Sequence, residues 1–413
     1  MALTINRFDP IDCHFPPPRW PMWPAWHRGS FRRWNWPAAA RSKVPSGTPR
    51  ARGRYALHAG LKALGLGPGS VFLAPAYHCR SMIDAAIALG ASVRFYRLNE
   101  RLQPDLDDLA RVLHSVPGAA RGQAAHVILA AHFFGIEVPL QMLRHLCDRE
   151  GLALVEDCAH CLVDGQGGLP SMLLPGGAVS GIGRWGDIVI ASPYKFLPLG
   201  EGGRVWARRP DLNVEPGQRT PFARELRASA RLLRGALQAP ARAPSAAIDM
   251  GGPTAPCGRE IVEDDGGTHS AHFDPVQTGD RGVAFARWLA GGCNLRSVAQ
   301  RRRERYLQWL QACRPWQLRG MCTPAHDPLP DAAVPYMFAL HVPHGAQVFA
   351  HLRGHGVPAG RWDDTAHGPG ETPCLWRLTL LHLPVHQEIE DDAMNWMLSV
   401  FECAMARLQA AAA

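Results

Sequence analysis

The sequence predicts an α/β protein in which a large, mostly parallel mixed sheet flanked by helices is followed by a smaller C-terminal α+β domain. From about residue 52, short apolar runs alternate with helical stretches, the order that builds a parallel sheet with helices on both faces. The 413 residues, 46% of them hydrophobic, can bury a sizeable core. We expect an N-terminal arm (1–45), a large domain (46–300) with a loose insertion at about 213–282, and a small domain (301–413).

Composition narrows the class of protein. No apolar run approaches the ~20 residues that cross a bilayer, and the N-terminus lacks a secretory pattern, so we expect a cytoplasmic protein without an integral membrane segment. The eleven cysteines have no framework spacing, which favours reduced thiols. The net charge of +8 would suit an anionic substrate or a polyanion, but the Lys and Arg residues are spread along the chain, so a solvated surface explains most of the charge and we expect no nucleic-acid partner.

The N-terminal arm is rich in Trp, Pro and Arg, most densely in "RWPMWPAWHRGSFRRWNW", Arg19 to Trp36. Such a mixture can stack on bases, lie at a membrane surface or wrap a partner subunit. Because the prolines prevent one continuous amphipathic helix, we favour a packing arm.

The elements of the large domain follow from the apolar runs. The stretch "ALHAGLKALGLGPGS" predicts a helix stopped by Gly and Pro, and "PLQMLRHLCDREG" predicts one that ends at Gly151. The runs "VFLAP", "SVRFYRL", "HVILAAHFF" and "LALVED" predict buried strands. In such sheets functional groups gather at the carboxyl ends of strands, where Asp157 and Lys195 both fall.

The insertion contains one predicted helix, "FARELRASARLLRGAL". In the small domain "RRRERYLQWL" (Arg301 to Leu310) predicts the polar start of a helix, and "YMFALHV", "VFAHLRGHGVPAG" and "LWRLTLLHLP" follow. A closing helix is expected from Glu388. These elements predict a compact α+β unit.

Lys195 follows the apolar run "DIVIAS" and precedes "FLPLGEGG". Burial at a strand end disfavours the ammonium form and brings a lysine toward neutrality, as a nucleophile for an aldehyde requires. The alternative is a lysine that extends its ammonium group to water from a strand end.

The stretch "LVEDCAH" places Asp157 and His160 at the end of another strand. A carboxylate there can hold a proton on a pyridine nitrogen, although it can also cap the next helix. The pair of cysteines in "CAHC", Cys158 to Cys161, suggests a metal, but no second Cys/His pair follows at suitable spacing. We therefore expect no metal.

The order of these motifs resembles the DegT/StrS group of nucleotide-sugar aminotransferases, which are pyridoxal 5′-phosphate (PLP) enzymes of fold type I. The resemblance runs from about Tyr55 to Phe401 and includes "HFFGIEVPLQMLRHLCDREGLALVEDCAH", "GRWGDIVIASPYKFLPLGEGG", "GGCNLRSVAQ" and "LPVHQEIEDDAMNWML". It implies a fold type I PLP-dependent aminotransferase, with glutamate as the usual amino donor and a nucleotide-linked keto-sugar as acceptor. It also implies a homodimer with shared active sites.

Carried over by position, the resemblance assigns roles to individual residues. Lys195 would bind PLP as a Schiff base, Asp157 would pair with the pyridine nitrogen, and His160 would approach the phenolic oxygen of the ring. Asn294 would reach the cofactor phosphate of the neighbouring subunit. The remaining cofactor-binding candidates are Gly53, Arg54, Tyr55, His78, Cys79 and Ser192.

Several of these positions depart from the family pattern. The family's Gly-Thr-Ser is here "GRY" (Gly53 to Tyr55), so Arg54 is a candidate replacement for the lost hydroxyls. Cys79 stands where an aromatic ring stacks on the pyridine, so His78 is a candidate to stack instead. In "GVPAGRWDD", Arg361 is a candidate to meet a nucleotide diphosphate, or forms a surface salt bridge.

Three functions therefore stay open. The first is the aminotransferase. The second is another PLP reaction on the same fold, and the third is a non-catalytic relative used for binding or assembly. Retention of Lys195 argues against the family's dehydratases, in which histidine replaces the lysine.

Overall fold

A computed structural model of the chain describes residues 3–8, 15–33, 47–115, 126–164, 167–237, 260–264, 268–362, 364–368 and 371–412. Parts of the arm, residues 238–259 and 265–267 of the predicted insertion, and Asp363 lie outside the described residues. No helix in the described ranges has both the length and the apolarity that a membrane span needs.

The described residues form strands and helices in the alternating order that the sequence predicts. In chain order the strands are β1 (Thr4–Phe8), β2 (Thr48–Arg50), β3 (Val71–Pro75), β4 (Ser92–Tyr96), β5 (His126–Ala131), β6 (Ala153–Cys158), β7 (Ile188–Ala191), β8 (Gly203–Ala207), β9 (Glu260–Asp264), β10 (Thr323–Pro324), β11 (Met337–His341), β12 (Thr365–His367) and β13 (Leu380–Pro384). The α-helices are α1 (Gly53–Ala63), α2 (Asp84–Ala88), α3 (Leu106–His114), α4 (Gln141–Glu150), α5 (Phe222–Leu237), α6 (Ala284–Ala290), α7 (Leu295–Gln317), α8 (Gly345–Gly354), α9 (Trp376–Thr379) and α10 (Asp391–Ala412).

The large sheet has seven strands in the order β2-β8-β7-β6-β5-β3-β4. β3 to β7 are parallel to one another, whereas β8 runs antiparallel to both β7 and β2. Side chains alternate between the two faces: Val127 and Leu129 belong to the core on the side of α1, and Ile128 and Ala130 to the core on the side of α3 and α4. Burial on both faces explains why these strands read as continuous apolar runs.

A second, antiparallel sheet (β10-β11-β13) packs with α7, α8 and α10 around its own core. The predicted boundary at residue 300 falls inside α7, which begins at Leu295. The predicted polar start at Arg301 is therefore wrong: that segment is helix interior, and both Arg302 and Arg305 are buried. The closing helix begins at Asp391, three residues after Glu388.

The arm packs along its own chain. β1 pairs antiparallel with β12 and with β9, forming a third sheet. Trp20 is buried in the core of the β10-β11-β13 sheet and Trp26 in the core beside α1. Residues 15–33 form irregular backbone and a short 3-10 helix (Arg28–Arg33), in keeping with the prolines.

Candidate active site

A cleft opens at the carboxyl ends of β5, β6 and β7. It holds about 530 Å³ of space between atoms, including the part open to solvent. Asp157 is in register with Ala131 of β5 and Ile190 of β7, and all three line the cleft. Of the predicted site residues, those that line it are Gly53, Arg54, Cys79, Asp157, His160, Ser192 and Lys195.

Lys195 closes a short 3-10 helix, Pro193–Lys195, that follows β7 directly. Its side chain is partly buried, with Nζ 5.3 Å from the centre of the Tyr336 ring. Burial lowers the pKa of Lys195, but the ionisable neighbours, first Tyr336 and then Tyr194, raise the pKa above its ordinary value. The prediction of a near-neutral lysine is therefore wrong for the cofactor-free protein, in which an ammonium group rests on a ring face.

Asp157 is the last residue but one of β6 and is 5% exposed. Its Oδ1 accepts a hydrogen bond of 2.8 Å from the amide of Ala159. Burial raises the pKa of this carboxyl, while the Ala159 amide and the charge of Lys195 act in the opposite direction. A buried carboxylate of this kind favours a cationic partner, and a protonated pyridine nitrogen would be one.

The side chain of Glu156 points to the face of β6 opposite that of Asp157, and it has a structural role. His132 Nδ1 accepts from the Val138 amide at 2.9 Å, so His132 Nε2 carries the proton and donates to Glu156 at 2.8 Å. Glu156 also accepts from the amides of Gly183, Trp185 and Gly186. Burial raises the pKa of Glu156, but these hydrogen bonds lower it below its ordinary value. Glu156 thus fixes the loop that leads into β7.

The same hydrogen bonds explain the nearest approach to a metal site in the described residues. Potential ligand atoms of His132, Glu156 and Cys158 lie within 4.8 Å of one another. Both ring nitrogens of His132 and both carboxylate oxygens of Glu156 already have partners. These side chains are therefore a buried hydrogen-bonded cluster, and we assign no metal to it.

His160 lies within a stack of aromatic rings beside Lys195. Its ring is nearly parallel to Tyr336, with centres 4.4 Å apart, and to Phe134 at 5.8 Å. Its Nδ1 accepts from the Phe134 amide at 3.3 Å. Burial first, then the charge of Lys195, holds the pKa of His160 well below its ordinary value. The imidazole is neutral and carries its proton on Nε2.

The N-terminus of α1 borders the cleft beside Lys195. No side chain caps this helix, and a Cβ on Gly53 would lie 2.0 Å from Ser192 Oγ, so only glycine allows the helix to approach the strand end. The guanidinium of Arg54 donates to the carbonyl of His272. An uncapped helix N-terminus is suited to a phosphate. With Lys195 and Asp157, these groups fit the carbonyl, the ring nitrogen and the phosphate of PLP.

Three predicted site residues lie elsewhere. Tyr55 is buried and its hydroxyl accepts from the Asp274 amide at 3.2 Å. His78 is stacked on Phe95 (centres 4.8 Å apart, 11° between planes) and accepts from the Ala366 amide, so its ring is engaged away from the cleft. Asn294 caps α7, where its Oδ1 accepts from the Ser297 amide at 3.1 Å.

Two residues that sequence reasoning missed support the lysine. Tyr336 contacts both Lys195 and His160, and Arg302, fully buried, donates to the carbonyls of Lys195 (2.9 Å) and Tyr336 (3.1 Å). Burial lowers the pKa of Arg302 to about 9. Tyr336 is the first residue of the predicted strand "YMFALHV", and Arg302 lies within a run of arginines, so neither pattern marks a site.

Arg361 was expected either at a diphosphate or in a surface salt bridge. It is only 8% exposed, and its guanidinium carbon lies 4.1 Å from the centre of the Phe8 ring and 4.5 Å from that of Phe349. The surface alternative is therefore wrong, and the diphosphate contact stays a prediction.

Comparisons with known proteins found a family model and several similar proteins. Residues 44–215 match the model of the DegT/DnrJ/EryC1/StrS aminotransferase family. GDP-perosamine synthase of Vibrio cholerae is 30% identical over 168 residues, 40% of each chain. UDP-N-acetyl-3-dehydro-α-D-glucosamine 3-aminotransferase of Acidithiobacillus ferrooxidans is 27% identical over 173 residues, 40% of this chain and 41% of the relative. The match thus spans about two fifths of these relatives.

The structural similarity covers more of the chain than the sequence similarity does. The crystal structure of NtdA from Bacillus subtilis with bound cofactor PMP superposes with a TM-score of 0.56 at 15% identity, over 87% of this chain and 73% of that one. The likeness shows that the fold is that of fold type I PLP aminotransferases, with a mostly parallel mixed sheet between helices. Over residues 44–215 the chain is thus similar in sequence to the DegT/DnrJ/EryC1/StrS aminotransferase family.

Proposed function

We propose that this protein is a PLP-dependent aminotransferase that moves an amino group from glutamate to the keto group of a nucleotide-linked sugar. The observation that carries the proposal is the meeting of Lys195 and Asp157 in one cleft, beside the uncapped N-terminus of α1. The acceptor class is supported by the two relatives, which are named for a GDP-sugar and a UDP-sugar. The proposed location is the cytoplasm, where thiols stay reduced.

PLP, when bound, supplies an electron sink for the bond that breaks at the donor's Cα. The residues of this chain bind and orient it. Lys195 Nζ binds the cofactor carbonyl and later carries the proton that leaves Cα. Asp157 keeps a proton on the ring nitrogen. The amides at the start of α1, with the Ser192 hydroxyl beside them, bind the phosphate.

His160 and Tyr336 set the position of these groups. The neutral His160 donates from Nε2 and adds no positive charge next to Lys195, so the two side chains remain close without repulsion. Tyr336 holds His160 on one face and Lys195 near its ring. We propose that His160 donates to the phenolic oxygen of the cofactor.

The absorbance spectrum of the purified protein with PLP tests the reaction class. We expect a visible band that disappears on addition of glutamate while a near-ultraviolet band of the PMP form grows. A protein that binds PLP but shows no change with glutamate or other amino acids would instead be another PLP enzyme or a non-catalytic relative.

The proposed assembly is a homodimer in which Asn294 of one chain contacts the cofactor phosphate of the other. The cap on α7 uses the side-chain oxygen of Asn294. The side-chain NH₂ group is therefore available to donate to a phosphate. We expect Lys195→Ala and Asn294→Ala proteins each to be inactive or badly impaired, and a refolded mixture to regain activity. Activity of refolded mixtures against each variant alone is the measurement.

A purely capping role for Asn294 predicts a different result for the same variants. If capping is the whole role of Asn294, Asn294→Ala lowers the free energy of unfolding by about 1 kcal/mol, leaves PLP affinity unchanged and shows no complementation. Asn294→Asp serves as the matched variant, because it keeps the cap but places a negative charge at the phosphate.

A further inference from the structure

A second, larger cavity lies between the N-terminal arm and the β10-β11-β13 sheet. It contains about 1310 Å³ of space between atoms, including the part open to solvent. Of its fourteen lining residues, all within the described ranges, seven are Phe, Tyr or Trp and none is Asp or Glu. The lining is therefore rich in flat apolar faces and lacks the carboxylates that usually accept from sugar hydroxyls.

The arm segment 19–23 is held in place as a wall of this cavity. The Arg19 amide donates to the Gly356 carbonyl at 2.9 Å, and His386 Nε2 lies 2.9 Å from the Pro21 carbonyl oxygen. A Cβ on Gly360 would lie 2.7 Å from Met22 Cε. Met22 of the arm thus packs closely against the backbone of Gly360 on the opposite wall of the cavity.

Trp23 connects this wall to the lysine. Its indole N–H donates to the hydroxyl of Tyr336, and Tyr336 lines the cavity while its ring borders Lys195 and His160. One aromatic side chain, that of Tyr336, therefore separates the arm from the amine of Lys195. A ligand in this cavity would lie on the acceptor side of the cleft.

The aromatic side chains of the cavity differ in what they offer a ligand. Phe349 and Phe8 already pack against the Arg361 guanidinium. Trp23 is 45% exposed, and Trp362 is partly exposed with Tyr77 behind it, ring centres 4.7 Å apart. Trp362 also has the rings of Phe134 and His382 near it, with centres 6.2 and 5.3 Å away, so it is accessible only where it lines the cavity. Trp23 thus provides the more accessible ring face.

We propose that this cavity is the acceptor subsite and that it binds a flat ring of the acceptor by stacking against Trp23 and Trp362, with the arm as a specificity-determining wall. The inference rests on the proposed aminotransferase function. Two parts of a nucleotide-linked sugar have a suitable face: the base, and the C–H face of the sugar ring. Stacking can bind either ring without hydrogen bonds to its polar groups.

The test is isothermal titration of the PMP-loaded protein with GDP, UDP and α-D-glucose 1-phosphate. We expect binding of at least one probe, weakened about tenfold or more in Trp23→Ala, the loss that follows from removing one stacking ring. Trp23→Phe keeps a ring and loses the indole N–H, so it should retain most of the affinity. Met142→Ala, which truncates an exposed side chain on α4, is the control.

The probes also distinguish the two ring sources. Binding of GDP or UDP that depends on Trp23 identifies the base as the stacked ring, and such binding of glucose 1-phosphate identifies the sugar. Absence of binding by all three probes, or binding that Trp23→Ala leaves unchanged, overturns the proposal. The conversion of PLP to PMP by glutamate is measured in parallel, so that failure of the subsite and failure of the aminotransferase function give different results.

Discussion

Lys195→Ala is expected to abolish transamination, with a loss of turnover on the order of 10⁴-fold or more, because Lys195 carries the only primary amine among the described residues that line the cleft. The chain has only three lysines, at positions 43, 62 and 195, which makes the attachment site simple to establish. Borohydride reduction of the PLP-loaded protein, followed by peptide mapping, should place the label on Lys195 alone.

Two variants complete this experiment. Lys195→Arg keeps a cation at the position but has no nucleophilic amine, so it should fold and remain inactive, which separates loss of chemistry from loss of fold. Lys62→Ala is the matched control, since Lys62 pairs with Glu215 at the surface, 3.0 Å away. Label on Lys62 or Lys43, or no visible band in the untreated PLP-loaded protein, would contradict the assignment.

Asp157→Asn is expected to retain PLP but to slow the half-reaction with glutamate by about 10²–10³-fold or more. The amide is nearly isosteric and preserves packing, but it has no charge with which to hold a proton on the ring nitrogen, so the electron sink weakens. Stopped-flow absorbance with glutamate measures this rate directly, and titration with PLP measures retention of the cofactor.

Glu156→Gln is the control for Asp157→Asn, because it neutralises the adjacent carboxylate on the other face of the same strand. It removes acceptors for the amides of the loop 183–186, so we expect a lower free energy of unfolding but a nearly unchanged half-reaction rate per folded molecule. If instead Asp157→Asn reacts at nearly the wild-type rate, Asp157 serves only to bind the Ala159 amide.

The sequence predicted the large sheet well because its strands are buried on both faces and its helices have clear ends. α4 stops at Gly151, which adopts the left-handed conformation that glycine tolerates. It did not predict the antiparallel β8, since strand direction depends on pairing across the sheet and leaves no local pattern. The helix start at Leu295 was not predicted, because an asparagine that caps a helix and one that reaches a phosphate leave the same pattern in the sequence.

The candidate site was predictable only in part. Motifs identify residues that stand at strand ends, and Asp157, His160 and Lys195 do meet in one cleft. Motifs do not give side-chain direction, so His78 and Cys79, neighbours in sequence, diverge: Cys79 lines the cleft and His78 packs on Phe95. Tyr336 lies 141 positions after Lys195 and could be found only once the two sheets were placed together.

The fully buried Arg302 has a mechanical consequence. Its guanidinium bridges the backbone after β7 and the backbone that enters β11, through hydrogen bonds to the Lys195 and Tyr336 carbonyls. A hinge opening between the two sheets would have to break the bond on one side or the other, so this joint resists opening. The same bridge keeps the backbone of Lys195 at a fixed distance from that of Tyr336, whose ring borders the lysine amine.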